Sequence, residues 1–218
     1  DGSNPQIVNL TATGCVIDVA DTKDAQGINI KANVSGKFEL NDTDIITSDA
    51  STYTNSGSVQ LDVDDDCEFS TNGGIPVAEI GEQTYLTFKK ALKDANASLE
   101  DVTIKLLANI ELTDAIEINN TKGKNITIDG ANGNERYTLT LKDPNAHAIL
   151  VHQASGEVVM QNLRLVHEES DNDSNKDQWM LMRIGEGDQY NHPKNVTVKL
   201  NNMYIESNTP YQWCLMAT

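Results

Sequence analysis

The sequence predicts an all-β chain built as a parallel solenoid, with one short amphipathic helix near residues 84–97. Three observations carry this. Apolar residues recur mostly with period two, a six-residue corner pattern repeats along the chain, and a single segment switches to helical spacing.

The period-two runs are short. They include Ile28-x-Ile30, Phe38-x-Leu40, Val102-x-Ile104-x-Leu106, Ile126-x-Ile128, Leu139-x-Leu141 and Val196-x-Val198-x-Leu200. Clusters of Gly, Asn and Asp separate them, as expected of strands with one buried face. From Thr84 to Ala97 the pattern changes: Leu86, Ala91, Leu92 and Ala95 recur at helical spacing, opposite Lys89, Lys90, Lys93 and Asp94. Thr84 is the expected N-cap, with Gly81 just outside.

The corner pattern reads apolar, any, Asn or a small or acidic residue, any, any, apolar. It occurs as Met160-Gln161-Asn162-Leu163-Arg164-Leu165 and Leu200-Asn201-Asn202-Met203-Tyr204-Ile205. Weaker copies are Leu40–Ile45 and Leu10–Cys15, and Val63–Phe69 carries one extra residue. A short strand, a sharp corner and a second short strand make one turn of a solenoid. Asn accepts the left-handed backbone such a corner needs, and its amide can bond to the next turn. Antiparallel hairpins are the competing reading, but Asn72-Gly73 and Asn132-Gly133 do not separate the copies.

Composition narrows function. The 218 residues carry a net charge of -17, with 13 Lys to 3 Arg, so a nucleic-acid partner is not expected. No apolar run approaches the roughly 20 residues of a membrane-spanning helix. Cys15, Cys67 and Cys214 lack metal-ligand spacing and sit beside apolar residues, as buried thiols do. Asn-x-Ser/Thr triplets start at Asn9, Asn33, Asn41, Asn96, Asn119, Asn125, Asn172 and Asn195. They mark glycosylation or simply follow from Asn- and Thr-rich turns. Scarce Arg and abundant Asn, Thr, Asp and Ser suggest an extracellular or cell-surface protein whose signal peptide has been removed.

The stretch Val77-Ala-Glu-Ile-Gly-Glu-Gln-Thr-Tyr-Leu-Thr-Phe-Lys-Lys-Ala-Leu92 resembles the opening of a right-handed parallel β-helix of the pectin-lyase-like type. Val102–Leu106, Lys124–Gly130 and Met160–Leu165 are similar to the coils that follow in that family. The resemblance spans roughly residues 77–206 and implies a right-handed β-helix whose open end is capped by a strand and an amphipathic helix. It implies little about activity, because the pattern reports stacking.

The order along the chain is unusual for one such solenoid. Residues 1–74 read as closing coils, 75–101 as a junction with the capping strand and helix, and 102–218 as coils open at the C-terminus. Solenoid ends expose unpaired backbone and need covering. The expectation is that coils 1–74 stack onto coils 195–218 of the same chain, of a neighbouring repeat or of another subunit.

Two acidic runs are candidate calcium sites or else simply solvated acidic segments, and no other cofactor is suggested. Asp171, Asp173, Asn175 and Asp177 present oxygens at alternate positions, although Lys176 and Met182 depart from an EF-hand. Asp62, Asp64 and Asp66, with Glu68, share one face if their strand stays extended, where water screens them or a cation binds. Trp179, Tyr190, Tyr211 and Trp213 lie beside amides and acids and form a candidate glycan-binding set, or else serve the core. Catalysis is not expected. The fold family's enzymes pair carboxylates with a basic residue, whereas Arg136, Arg164 and Arg183 are isolated in sequence, and His147 and His152 fall on opposite strand faces.

The sequence thus favours a non-catalytic extracellular β-solenoid module, structural or adhesive, that stacks head to tail as a fibre subunit or tandem repeat. The alternatives are a glycan-binding adhesin domain, recognising host or cell-surface glycans, and a calcium-dependent polysaccharide lyase or glycoside hydrolase.

Overall fold

The computed structural model describes residues 6–48, 51–142, 147–168, 180–185, 195–207 and 213–217. The chain is mostly β, with one helix among the described residues, and divides into two compact units, Asp1–Pro76 and Val77–Thr218.

The first unit contains β1 (Gln6–Thr13), β2 (Val16–Asp18), β3 (Ile28–Ile30), β4 (Val34–Asn41), β5 (Asp44–Ile46), β6 (Tyr53–Asn55), β7 (Ser58–Val63) and β8 (Phe69–Ser70). They form three parallel sheets, ordered β1-β4-β7, β2-β5-β8 and β3-β6. Each strand therefore pairs with the strand three places later, and every pass of the chain gives one strand to each sheet. Apolar residues align in register across passes: Leu10 with Phe38 and Leu61, and Ile17 with Ile45 and Phe69. Leu40 and Ile45 are fully buried, whereas six consecutive residues from Gln6 to Thr11 are exposed. Gly36 allows β4 to pass closely under β1. Its φ is 130°, and a Cβ there would lie 2.0 Å from the Val8 carbonyl oxygen.

The second unit opens with β9 (Ala78–Ile80), β10 (Gln83–Tyr85) and α1 (Phe88–Ala97). Passes of the chain follow: β11 (Val102–Leu106), β12 (Ile110–Leu112) and β13 (Ile116–Ile118), then β14 (Ile126–Asp129), β16 (Glu135–Lys142) and β17 (His147–Val151), with the additional short β15 (Ala131–Asn132) inserted before β16. The last two passes are β18 (Gly156–Gln161), β19 (Leu163–Glu168) and β20 (Met180–Ile184), and β21 (Val196–Asn201), β22 (Tyr204–Ser207) and β23 (Trp213–Ala217). The first sheet runs β10-β9-β11-β14-β18-β21, the second β12-β16-β19-β22 with β15 against β16, and the third β13-β17-β20-β23. The first sheet is mixed, because β9 is antiparallel to both β10 and β11; the short β15–β16 pair is also antiparallel.

Inward ladders explain the period-two pattern. Ile104, Ile128, Met160 and Leu200 stand in register through the first sheet, and Ile110, Leu139, Leu165 and Ile205 through the second. All but Leu200 and Ile205, in the last pass, are buried.

The helix begins later than the sequence suggests. Thr87, not Thr84, is the N-cap: its side chain accepts the Lys90 N–H at 3.3 Å, while Thr84 is paired in β10. Phe88, Ala91, Leu92 and Ala95 form its buried face, and α1 packs on β9, β10 and β11. Asn120, itself fully buried, latches the helix end: its amide donates to the Ala95 and Ser98 carbonyls at 3.0 Å each. Its Oδ1 accepts from the N–H groups of Lys122 and Lys124.

Left-handed corners follow the repeat. Asp42, Asn162 and Asn202 have φ of 46°, 50° and 51°. The Leu10–Cys15 copy needs correction: Ala12 aligns with Leu40, so the corner falls at Gly14, with φ 61°, two residues beyond the expected position. The extra residue in Val63–Phe69 is seen directly, since Val63 aligns with Leu40 and Phe69 with Ile45.

Candidate functional site

The Asp62–Asp66 run does not gather on one face, because β7 ends at Val63. Asp62 lies beside Glu39 in register, and Lys37 Nζ bridges the two at 3.0 Å and 2.5 Å. Asp64 turns the corner. Its carboxylate accepts from the Asp42 N–H at 3.2 Å, the Asp66 N–H at 2.9 Å and the Cys67 thiol at 3.4 Å. The Asp42 amide above all holds this carboxyl below the usual aspartate range. These oxygens are committed to a lysine and to backbone amides. Among the described residues no group of three or more His, Cys, Asp or Glu is placed to hold a metal ion. Asp171, Asp173, Asn175 and Asp177, with Trp179, Tyr190 and Tyr211, lie outside the described residues, and Trp213 begins β23 at the edge of the third sheet.

A different group of side chains does converge. The β15–β16 pair projects Asn134, Glu135 and Arg136 beside the corner column of Gly130, Asn162 and Asn202. Register in the second sheet puts Thr138, Arg164 and Tyr204 side by side on the outward face. Asn134, Glu135, Arg136, Arg164 and Tyr204 line an open groove of about 440 Å³. The Arg164 guanidinium lies 5.6 Å from the centre of the Tyr204 ring and pairs with Glu206 at 2.8 Å, which raises its pKa further. Arg136 reaches across an intervening pass to hydrogen-bond Asn202 Oδ1.

The two arginines of the groove differ in their partners. Lys37, Lys90, Lys105, Lys142, Lys199 and Arg164 each pair with a carboxylate. Arg136 has no carboxylate partner among the described residues, its bond being to the Asn202 amide oxygen. The lining combines two guanidiniums, the Asn134 amide, the Glu135 carboxylate and the half-exposed Tyr204 ring, a set of donors and acceptors beside an aromatic face that can receive a hydroxyl-rich ligand. The sequence reading treated both arginines as isolated. Superposing Met160–Leu165 on Leu200–Ile205 would have placed Arg164 next to Tyr204, since both occupy the fifth position.

A second functional feature is an edge. Among the described residues β1 pairs with β4 on one side only, and Ile7 (78 %), Val8 (39 %), Leu10 (41 %) and Val16 (64 %) are exposed large apolar residues of the first pass. In the second unit, β21 and β22 end their sheets, with Val196, Val198, Leu200 and Ile205 half-buried and Tyr204 exposed. Long apolar edge strands are surfaces that proteins normally cover.

No family model, no curated protein and no solved structure matches this chain.

Proposed function

We propose that both units are coils of a right-handed parallel β-helix, and that the chain is a non-catalytic, extracellular structural or adhesive module. It extends by stacking head to tail on further copies of itself or on neighbouring repeats. The observation that carries this reading is the edge of the first pass, where β1 has no second partner strand among the described residues and presents Ile7 and Leu10. Parallel pairing of each strand with its counterpart in the next pass, repeated in both units, supports the solenoid assignment. The acidic composition would keep such a surface soluble and discourage sideways association.

Sedimentation velocity from low to high micromolar concentration tests the reading. Concentration-dependent assembly that is lost in Leu10→Glu and Val16→Lys supports it. A monodisperse monomer across that range removes it.

The groove of Arg136, Arg164 and Tyr204 favours one alternative, a glycan-binding module. A glycan array separates the two: saccharide binding abolished by Arg136→Ala, by a chain that stays monomeric, would replace stacking with recognition. The readings compete for the same aromatic ring, because Tyr204 also lies at the edge of its sheet.

A further inference from the structure

One hydrogen bond occurs at three corners, one in the first unit and two in the second, while at Asp42 the corner N–H goes to the Asp64 carboxylate instead. In this bond the corner N–H of a pass donates to the carbonyl just before the corner of the next pass. Gly14 N donates to Asn41 O at 3.0 Å, Gly130 N to Gln161 O at 3.0 Å, and Asn162 N to Asn201 O at 3.0 Å. Asn202 is the corner of the last described pass, and Gly14 that of the first. Side-chain register follows the corner count where neither pass carries an insertion: Arg164 lies opposite Tyr204 with Asn162 against Asn202, and Val16 opposite Asp44 with Gly14 against Asp42, whereas the β15 hairpin after Gly130 and the extra residue in Val63–Phe69 shift it at their corners.

We propose that a second copy of this chain docks its β1–β2 edge on the β21–β22 edge with Gly14 set against Asn202, so that Asn202 N–H donates to the second copy's Thr13 carbonyl. This rests on the self-stacking reading above and fixes its register. Counting from the corner, Val196, Val198 and Leu200 meet Val8, Leu10 and Ala12 on the inward side, and Ile205 meets Ile17. On the outward side Tyr204, 52 % exposed, covers Val16, 64 % exposed. Half-buried or exposed apolar groups at one edge thus find apolar groups at the other. A slip of one residue would turn β1's inward set outward, so the junction has a strong preference for one register. The register has one cost: it sets Glu206 near Asp18, two carboxylates, of which Glu206 is already paired with Arg164.

The same count brings Met203 opposite Cys15, a free and exposed thiol. Neighbouring parallel strands lie about 4.8 Å apart, within reach of a disulfide. The test is Met203→Cys in the full chain, oxidised mildly at micromolar concentration and run on a non-reducing gel. The expected result is a ladder of covalent multimers, absent from the parent chain and lost on adding Cys15→Ser. Ile205→Cys, displaced by two residues, should give no ladder. As a check independent of the Met203 site, Thr13→Cys and Asn201→Cys chains, each carrying Cys15→Ser, should cross-link when mixed and not alone. Assembly in the centrifuge with cross-linking at Ile205→Cys instead of Met203→Cys overturns this register while leaving stacking intact. A monomer that cross-links in neither case overturns both.

Discussion

Asn202 donates its side-chain amide to Asn162 Oδ1 at 2.9 Å, and both residues hold left-handed backbone. Asn162 in turn donates to Asp129 Oδ1 at 3.1 Å, so three consecutive passes are tied at one corner. A single residue type meets two demands here, a positive φ and a bond along the stacking direction.

Replacing Asn162 separates those demands. Asn162→Gly keeps the left-handed backbone and loses the two side-chain bonds, which should destabilise the second unit by about 1–2 kcal/mol. Asn162→Ala also forces a Cβ-bearing, non-bonding residue into that conformation, adding roughly 1 kcal/mol. Urea unfolding of both variants checks the order; equal losses would show that backbone strain contributes nothing.

Asn120→Ala should be more damaging. The fully buried side chain satisfies two carbonyls at the end of α1 and two N–H groups of the following turn. Leaving several of these unpaired costs about 3 kcal/mol in sum, allowing for water entering the gap. Hydrogen exchange should show α1 opening before the strands, because its latch is removed and its core is not.

His167 makes stability pH-dependent. It is fully buried in register with Leu141, and burial pushes its pKa down to about 4. The unfolded chain binds a proton near pH 6.5 while the folded chain does not until about 4. Stability from this residue is therefore complete above 6.5 and falls as pH drops from 6.5 towards 4, by about 3 kcal/mol in total. His167→Leu should flatten that part of the profile. Parallel wild-type and variant profiles over this window would rule the effect out.

The periodic part of the fold was legible in sequence. Ile104, Ile128 and Met160 sit inside because they alternate with polar neighbours, and the Asn corners at 162 and 202 stand where the repeat put them. The errors have local causes. Thr84 and Thr87 are equally good caps by type, and pairing of β10 with β9 decides between them. At Leu10–Cys15 the small residues Ala12 and Gly14 both satisfy the pattern, and only register with β4 selects glycine. The groove was not legible from spacing, since Arg136 and Asn202 meet across an intervening pass. Asp62, Asp64 and Asp66 would share a face only if their strand stayed extended; β7 ends at Val63 and the chain turns at Asp64, so that condition is not met.

Arg136→Ala should leave the melting temperature nearly unchanged, because the exposed guanidinium bonds only to an exposed amide, a contact worth at most about 1 kcal/mol. Any saccharide affinity of the groove should fall at least about tenfold, the loss of one charge-assisted bond. Calorimetric titration of wild type and variant with the same ligand reads both quantities.

The helix α1 gives the second unit two chemically unlike ends. Its face of Phe88, Ala91, Leu92 and Ala95 seals the apolar interior at the first pass, whereas the last pass leaves Val198, Leu200 and Ile205 only half covered. In the proposed stacking, a copy would meet the second unit on its β21–β22 side and not across α1. A stack built in that way would have a direction, with a β1–β2 edge at one tip and a β21–β22 edge at the other, so its two tips should elongate at different rates.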